Sequence, residues 1–119
     1  MCGILGYVGK GRTIEELIQA LARLEYRGYD SCGIATLDKK RLFIRKRSGK
    51  INRLKKDLET RLGSSVPLGI LHTRWATHGK PNTANAHPHC NPDRTVAVVH
   101  NGIIENFLDL RQALEAQGR

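Results

Sequence analysis

Residues 1–9, MCGILGYVG, place a cysteine directly after the first methionine and follow it with a short apolar run bounded by glycines. A run of this kind predicts a buried β-strand over residues 3–8. If Met1 is removed, the thiol of Cys2 and a free α-amine belong to the same residue. An α-amine has a pKa of about 7.7–8.0, so it can take the thiol proton near neutral pH. The stretch therefore predicts an N-terminal nucleophile. By itself it leaves open the alternative of a small buried residue at the start of a strand.

Outward from this strand, the sequence predicts helices and strands that alternate along the chain. Thr13 and Glu16 have the spacing of a capping box, and Arg27 with Gly28 supplies a stop for the helix that Thr13 begins. The apolar pattern then predicts a hairpin of strands 33–38 and 42–47, a helix over 51–62, a strand over 66–73, a loop over 74–94, a strand over 95–100 and a helix over 103–117. This order of elements is typical of an α+β domain.

The composition is that of one small globular domain. Of the 119 residues, 39% are hydrophobic and 26% are charged. No apolar run approaches the roughly 18 residues that a membrane span needs, and the amino terminus lacks the features of a signal peptide. The three cysteines, Cys2, Cys32 and Cys90, lack the even count and the density of a disulfide scaffold. We therefore expect a cytoplasmic protein with free thiols and no membrane partner.

The net charge of +9 is concentrated in one segment, because eleven of the 20 lysines and arginines lie between Lys39 and Arg61. Such a run can form a nucleic-acid patch. It has few aromatic residues on which bases could stack, and it keeps an apolar rhythm beneath the charges. We therefore expect an exposed strand and helix face, and no nucleic-acid partner.

The stretch HTRWATHG, residues 72–79, leaves a predicted strand and enters the long loop. The planar guanidinium of Arg74 matches a carboxylate through two parallel hydrogen bonds. Thr77 and His78 add donors beside it, and Trp75 could form a wall or lid of a pocket. The octapeptide alone leaves open a surface arginine and a core tryptophan.

The stretch VVHNGIIEN, residues 98–106, predicts a second part of a site. A buried strand is expected to end at His100, and Asn101 with Gly102 forms the corner into a helix. A side-chain amide next to a backbone N–H can form an oxyanion hole, and a helix N-terminus would favour developing negative charge there. The alternative is that Asn101 caps the helix and Gly102 only makes the turn.

Two further stretches carry polar residues with weaker signals. NAHPHC, residues 85–90, brings histidines and a cysteine together, but the spacing does not fit a zinc site, and we expect no metal. EYRGYDSCG, residues 25–33, forms a tight connection that could order a site by hydrogen bonds. A structural role for that connection is at least as open as a direct catalytic one.

Taken together, the Cys-Gly-Ile start, EYRGYDS, HTRWATHG, NAHPH and VHNGIIEN resemble the glutaminase domain of the isomerising glutamine–fructose-6-phosphate aminotransferases, which are class II glutamine amidotransferases. The resemblance runs over essentially the whole chain. It implies an N-terminal-nucleophile hydrolase fold, an αββα sandwich of two antiparallel sheets. It also implies hydrolysis of L-glutamine to glutamate and ammonia without a cofactor. The ammonia would pass to an isomerase domain that converts fructose 6-phosphate to glucosamine 6-phosphate, in an enzyme that is a homo-oligomer at full length.

The resemblance also assigns roles to residues that match the family's motifs. Cys2 would be the nucleophile, and Asn101 and Gly102 the oxyanion-hole pair. The substrate carboxylate would be bound by Arg74, supported by Thr77 and His78, and Trp75 would help to cover the site. Arg27 would lie in a segment near the nucleophile.

Two departures from the family pattern shape the expectations for the chain. The family's domain continues beyond the position of Arg119, and an aspartate that holds the substrate amine lies in that continuation. Residues 1–119 are therefore expected to be the N-terminal portion of a glutaminase domain, with little activity alone. The alternative is a non-catalytic fragment that acts at most through partner binding. Cys32 stands where a small residue is more familiar, and we interpret it as a small buried hydrophobe.

Overall fold

The computed structural model describes all 119 residues and is built around a four-stranded antiparallel sheet. Its strands are β1 (Gly3–Thr13), β2 (Ser31–Asp38), β3 (Arg41–Ser48) and β4 (Ser65–Arg74), in the spatial order β1-β4-β2-β3. A second, two-stranded sheet pairs β5 (His89–Cys90) with β6 (Ala97–Val98). The helices are α1 (Ile14–Ala22), α2 (Ile51–Asp57) and α3 (Phe107–Ala116). The α+β class predicted from the sequence is confirmed.

Helix α1 begins where its sequence predicts. The Thr13 hydroxyl accepts a hydrogen bond from the Glu16 backbone N–H at 3.2 Å, and the Glu16 carboxylate accepts one from the Thr13 N–H at 2.8 Å. The helix ends at Ala22, and a single 3₁₀ turn at Glu25–Arg27 leads to Gly28. The capping box is therefore present as predicted, whereas α1 ends five residues before Arg27, so the stop predicted at Arg27 and Gly28 ends only the 3₁₀ turn.

Helices α1 and α2 contact each other and cover the sheet. The core between them contains Ile14, Leu17, Ile18, Leu21, Cys32, Ile34, Ile51, Leu54, Leu58, Val66 and Leu71. Burial of each leucine or isoleucine side chain contributes about 1.5–3 kcal/mol relative to exposure. This core fixes the register of β4 in the middle of the sheet, and the end of β4 carries the candidate site.

Cys32 is part of this core and is 1% exposed. Burial raises the pKa of its thiol to about 12, so the thiol stays protonated at neutral pH. Its interpretation as a small buried hydrophobe is confirmed, and it is not a competing nucleophile.

The basic segment lies on β3 and α2 and is partly neutralised by ion pairs. Arg61 pairs with Asp38 at 3.0 Å, and Lys55 pairs with Glu15 at 2.9 Å. Pairing across elements is what an exposed strand and helix face would show. None of the helices is both long and apolar enough to cross a membrane.

Two predictions for the second half of the chain are wrong in extent. The helix over 51–62 ends at Asp57 and continues only as a 3₁₀ turn at Glu59–Arg61. The strand over 95–100 shrinks to Ala97–Val98, and it is not buried, since Val98 is 49% exposed. The Asn91 side chain explains why the strand begins later than predicted. It accepts hydrogen bonds from the backbone N–H groups of residues 95 and 96 and so closes a turn there.

The last helix also begins later than predicted. Helix α3 starts at Phe107 with Asn106 at its N-cap, and residues 103–106 form a turn. Asn101 and Gly102 therefore do not lie at a helix N-terminus, and the expected contribution of the helix dipole to an oxyanion hole is wrong. The alternative role of Asn101 as a helix cap is wrong for the same reason. Its side chain is bound elsewhere, as described below.

Candidate active site

Pairing of β1 with β4 places Cys2 beside the loop that follows β4. Gly3 is aligned with Thr73, so the preceding residue lies opposite the end of β4. The Trp75 backbone N–H donates to the Cys2 Sγ at 3.3 Å, and the Trp75 carbonyl lies 3.7 Å from the same sulfur. Cys2 is partly buried, and its thiol is held by backbone that is 73 residues away in sequence.

The glycine after Cys2 is required by close packing. Its N–H donates to the Thr73 hydroxyl at 3.1 Å. A Cβ atom at Gly3 would lie 2.7 Å from that hydroxyl oxygen and 2.8 Å from Leu24 Cβ, closer than side-chain atoms approach. The side chain's absence lets β1 approach β4 and fixes the position of the thiol.

A cavity of about 630 Å³ opens beside the Cys2 thiol. It is lined by seven of the eight residues predicted from the sequence to form the site: Cys2, Arg74, Trp75, Thr77, His78, Asn101 and Gly102. Arg27 does not line it. The Arg27 Nη2 lies 3.7 Å from the Met1 sulfur, so this side chain is adjacent to the methionine whose removal is predicted.

Asn101 reaches Cys2 across 99 positions of sequence. Its Nδ2 donates to the Cys2 carbonyl oxygen at 3.0 Å, and its Oδ1 lies 2.7 Å from the Nε2 of His72. An amide nitrogen carries two N–H donors. One is used on Cys2, and the other is free to serve a ligand in the cavity. Gly102 follows directly and lines the same cavity.

Arg74 is a buried cation without an anionic partner. It is 8% exposed and forms no ion pair. Its guanidinium donates to the carbonyl of Lys80 at 3.1 Å and to the carbonyl of His78. These bonds order the loop while leaving further N–H donors. An unpaired buried charge at a cavity is costly unless a ligand supplies the counter-charge, and a carboxylate does so in the geometry of the guanidinium.

Trp75 is 45% exposed and packs edge-on against Tyr29, with ring centroids 5.4 Å apart. The alternative of a surface arginine with a core tryptophan is therefore reversed in the structure: the arginine is buried and the tryptophan lies at the rim. A half-exposed tryptophan at the mouth of a cavity is well placed to cover a ligand.

The connection over residues 25–33 holds the backbone on which the site is built. The Asp30 carboxylate accepts a hydrogen bond from the Ala76 N–H, and the Asp30 N–H donates to the Arg74 carbonyl at 3.2 Å. A Cβ atom at Gly28 would lie 2.5 Å from the Arg74 carbonyl carbon. The residues around the thiol are therefore ordered by this connection, as its polar residues suggested.

Three histidines form a wall of the cavity. The ring centroids of His72 and His87 are 4.5 Å apart, as are those of His87 and His89. Burial lowers the pKa of the His87 imidazole to about 4, and burial also lowers the pKa of His72. These rings are neutral at pH 7. Sequence reasoning missed His72, although strand alternation in β4 places it on the same face as Arg74.

The chain is similar to known proteins over essentially its whole length, although no protein-family model matches it. It is 55% identical over 121 residues to the isomerising glutamine–fructose-6-phosphate aminotransferase of Brucella suis, and 51% identical over 118 residues to that of Thermotoga maritima. These alignments cover 100% and 99% of the chain. Over its whole length the chain is therefore similar to one part of glutamine–fructose-6-phosphate aminotransferases. It spans about a fifth of the length of these relatives, 19% in both cases.

A solved structure gives the same fold as the sequence relatives. The glutamine phosphoribosylpyrophosphate amidotransferase of B. subtilis, complexed with ADP and GMP, superimposes with a TM-score of 0.78 at 25% identity. The match covers 100% of this chain and 26% of that one. The N-terminal-nucleophile hydrolase fold of glutamine amidotransferases, expected from the resemblance, is thereby confirmed.

Proposed function

We propose that the chain supplies the glutamine-hydrolysing site of a glutamine–fructose-6-phosphate aminotransferase. The observation that carries the proposal is that one cavity joins three groups with complementary chemistry: the Cys2 thiol, the Asn101 amide and the buried guanidinium of Arg74. A nucleophile, an oxyanion donor and a carboxylate receptor are the groups that hydrolysis of an amino-acid amide requires.

The reaction begins at Cys2. With Met1 removed, the α-amine of Cys2 takes the thiol proton, and the thiolate attacks the side-chain amide carbon of glutamine. The negative charge that develops on the amide oxygen is stabilised by the free N–H of Asn101 and the backbone N–H of Gly102. The C–N bond then breaks, the nitrogen takes a proton from the α-ammonium group, and ammonia leaves. Water hydrolyses the remaining thioester to glutamate and restores the thiol.

The other end of glutamine binds at Arg74. Its guanidinium pairs with the α-carboxylate, Thr77 and His78 support the bound substrate, and Trp75 closes over it. Pairing with the substrate relieves the cost of the buried cation, so binding also stabilises the loop that Arg74 holds. Arg27 lies outside the cavity beside Met1 and takes no part in these steps.

The protein as a whole would use the ammonia to convert fructose 6-phosphate to glucosamine 6-phosphate. Support comes from relatives whose names state this activity and which match 99–100% of the chain. We further propose that it acts in the cytoplasm as a homo-oligomer, with residues 1–119 as the N-terminal portion of its glutaminase domain.

The experiment is an assay of ammonia and glutamate released from glutamine by the purified full-length protein, since residues 1–119 are expected to have little activity alone. We expect equal amounts of the two products, abolished in Cys2→Ala. The matched control is Cys90→Ser, because Cys90 is an exposed thiol outside the cavity and should not matter. Hydrolysis that survives in Cys2→Ala, or that is lost equally in Cys90→Ser, would contradict the proposal.

A further inference from the structure

His72 is buried completely at the end of β4 that carries the site. Its side chain is 0% exposed, and its Nε2 lies 2.7 Å from the Asn101 Oδ1. No role for this histidine follows from the sequence motifs. Its contact is with a residue that also bonds to Cys2, so a chain of hydrogen bonds runs from His72 through Asn101 to the nucleophile residue.

The chemistry of the partners fixes which atom donates and which accepts in each of these hydrogen bonds. The Cys2 backbone carbonyl can only accept, so the side-chain amide of Asn101 must point its nitrogen toward Cys2. Its oxygen then faces His72, and an amide oxygen can also only accept. The imidazole must therefore carry a proton on Nε2. The Nδ1 of His72 is buried without a partner, which is consistent with a ring whose one proton lies on Nε2.

Rotation of the Asn101 amide by half a turn would reverse its polarity. The oxygen would then face the Cys2 carbonyl and the cavity, and the N–H groups would face the Nε2–H of His72. Both contacts would be repulsive. A donor at His72 thus selects the one amide orientation that presents an N–H to an oxyanion. Packing of the His87 ring against His72, with centroids 4.5 Å apart, holds that donor in place.

We propose that His72 is a positioning residue for glutamine hydrolysis: its Nε2–H bonds to Asn101 and holds the Asn101 amide N–H toward the oxyanion. This inference rests on the proposed function, because the oxyanion belongs to that reaction. Burial lowers the pKa of the imidazole, so the ring is neutral at working pH and acts as a fixed donor, without transferring a proton.

Two variants distinguish the effect of the Nε2–H donor from the effect of side-chain volume. In His72→Gln the side-chain amide nitrogen can reach the place of Nε2 and donate, whereas His72→Leu fills a similar volume without a donor. We expect His72→Leu to lower kcat by about 10-fold to 100-fold, less than the roughly 10²–10³-fold expected for loss of the Asn101 donor itself. KM should change by less than about twofold, since the substrate carboxylate is bound elsewhere. His72→Gln should recover most of the lost kcat.

A double-mutant cycle tests whether His72 acts through Asn101. With Asn101→Ala already present, His72→Leu should lower kcat no further, because the group that it orients is absent. Additive losses, or equal losses in His72→Gln and His72→Leu, would overturn the inference. If His72→Leu does not fold, the ring measurement below decides the question.

The ring measurement does not depend on turnover. Nitrogen NMR shifts of the His72 imidazole in the wild-type protein should show the neutral tautomer with the proton on Nε2 at pH 7. A proton on Nδ1 would overturn the inference and leave the proposed function standing. A wild-type protein that shows no cysteine-dependent glutamine hydrolysis would overturn the proposed function, and with it the catalytic consequence of the His72 contact.

Discussion

The backbone N–H of Trp75 donates to the sulfur of Cys2 at 3.3 Å, so the loop after β4 directly sets the environment of the thiol. This loop has few regular hydrogen bonds of its own. It is anchored one residue later, where the Ala76 N–H donates to the Asp30 carboxylate. The position of the Cys2 sulfur therefore depends on the side chain of Asp30, the residue that precedes β2.

Replacing Asp30 should loosen the loop that contacts the thiol. Asp30→Ala removes the acceptor for the Ala76 N–H, and we expect a loss of about 1–3 kcal/mol in the free energy of unfolding, since a partly buried donor is left without a partner. Asp30→Asn keeps an oxygen at the same place and should lose less. Denaturant unfolding of both variants measures the difference, and equal stability of Asp30→Ala and wild type would contradict the role of this anchor.

The connection over residues 25–33 packs closely against the same loop. We therefore predict that Gly28 cannot be replaced by a larger residue without loss of stability. A Cβ atom at Gly28 would lie 2.5 Å from the carbonyl carbon and 2.7 Å from the carbonyl oxygen of Arg74, and backbone atoms cannot move aside as a side chain can. We expect Gly28→Ala to destabilise the protein by about 1–3 kcal/mol. Gly6→Ala is the control, because a Cβ atom there meets nothing within 4 Å. Melting temperatures compare the two, and an unchanged value for Gly28→Ala would rule out the close packing.

The first half of the fold follows directly from local sequence patterns. The capping box at Thr13 and the hairpin of strands 33–38 and 42–47 depend on residues close together in sequence, and both are present as predicted. The later elements depend on long-range contacts that no local pattern contains. Asn101 bonds to Cys2 rather than capping a helix, and the apolar residues from Ile103 onward enter a turn before α3 begins.

The candidate site, like the fold, could be predicted from the sequence only in part. Its motifs identified seven residues that line one cavity, because each motif carries its chemistry in its own residue types. His72 was missed, since a histidine in a strand gives no sign of its partner until the chain is folded. Arg27 was placed near the nucleophile, and it lies by Met1 outside the cavity.

Stability should fall on mild acidification because of the histidine wall. Burial lowers the pKa of His87 to about 4 in the folded chain, against about 6.5 for a histidine in an unfolded chain. The unfolded state therefore binds the proton more readily. The stabilisation is complete above pH 6.5 and is lost as the pH falls toward 4. We expect the melting temperature to decrease between pH 6.5 and 5, and to decrease less in His87→Gln. The same slope in both proteins would contradict this origin.

Substitutions of the residues proposed to contact the two ends of the substrate should have different kinetic effects. Arg74→Ala removes the group that we propose binds the non-reacting carboxylate, and should mainly raise KM, at a cost of about 2–5 kcal/mol. Arg74→Lys keeps the charge without the fork and should recover part of the affinity. Asn101→Ala should mainly lower kcat, by about 10²–10³-fold. Steady-state kinetics with glutamine separate the two parameters, and an effect of Asn101→Ala on KM alone would refute its role in the oxyanion hole.

The most direct test of Cys2 as an N-terminal nucleophile is mass spectrometry of the protein after reaction with a glutamine analogue that carries an electrophilic carbon in place of the amide. We expect one adduct per chain, on the sulfur of Cys2, in a polypeptide whose first residue is that cysteine with a free α-amine. An adduct on another residue, or Met1 still attached to protein that hydrolyses glutamine, would contradict the account.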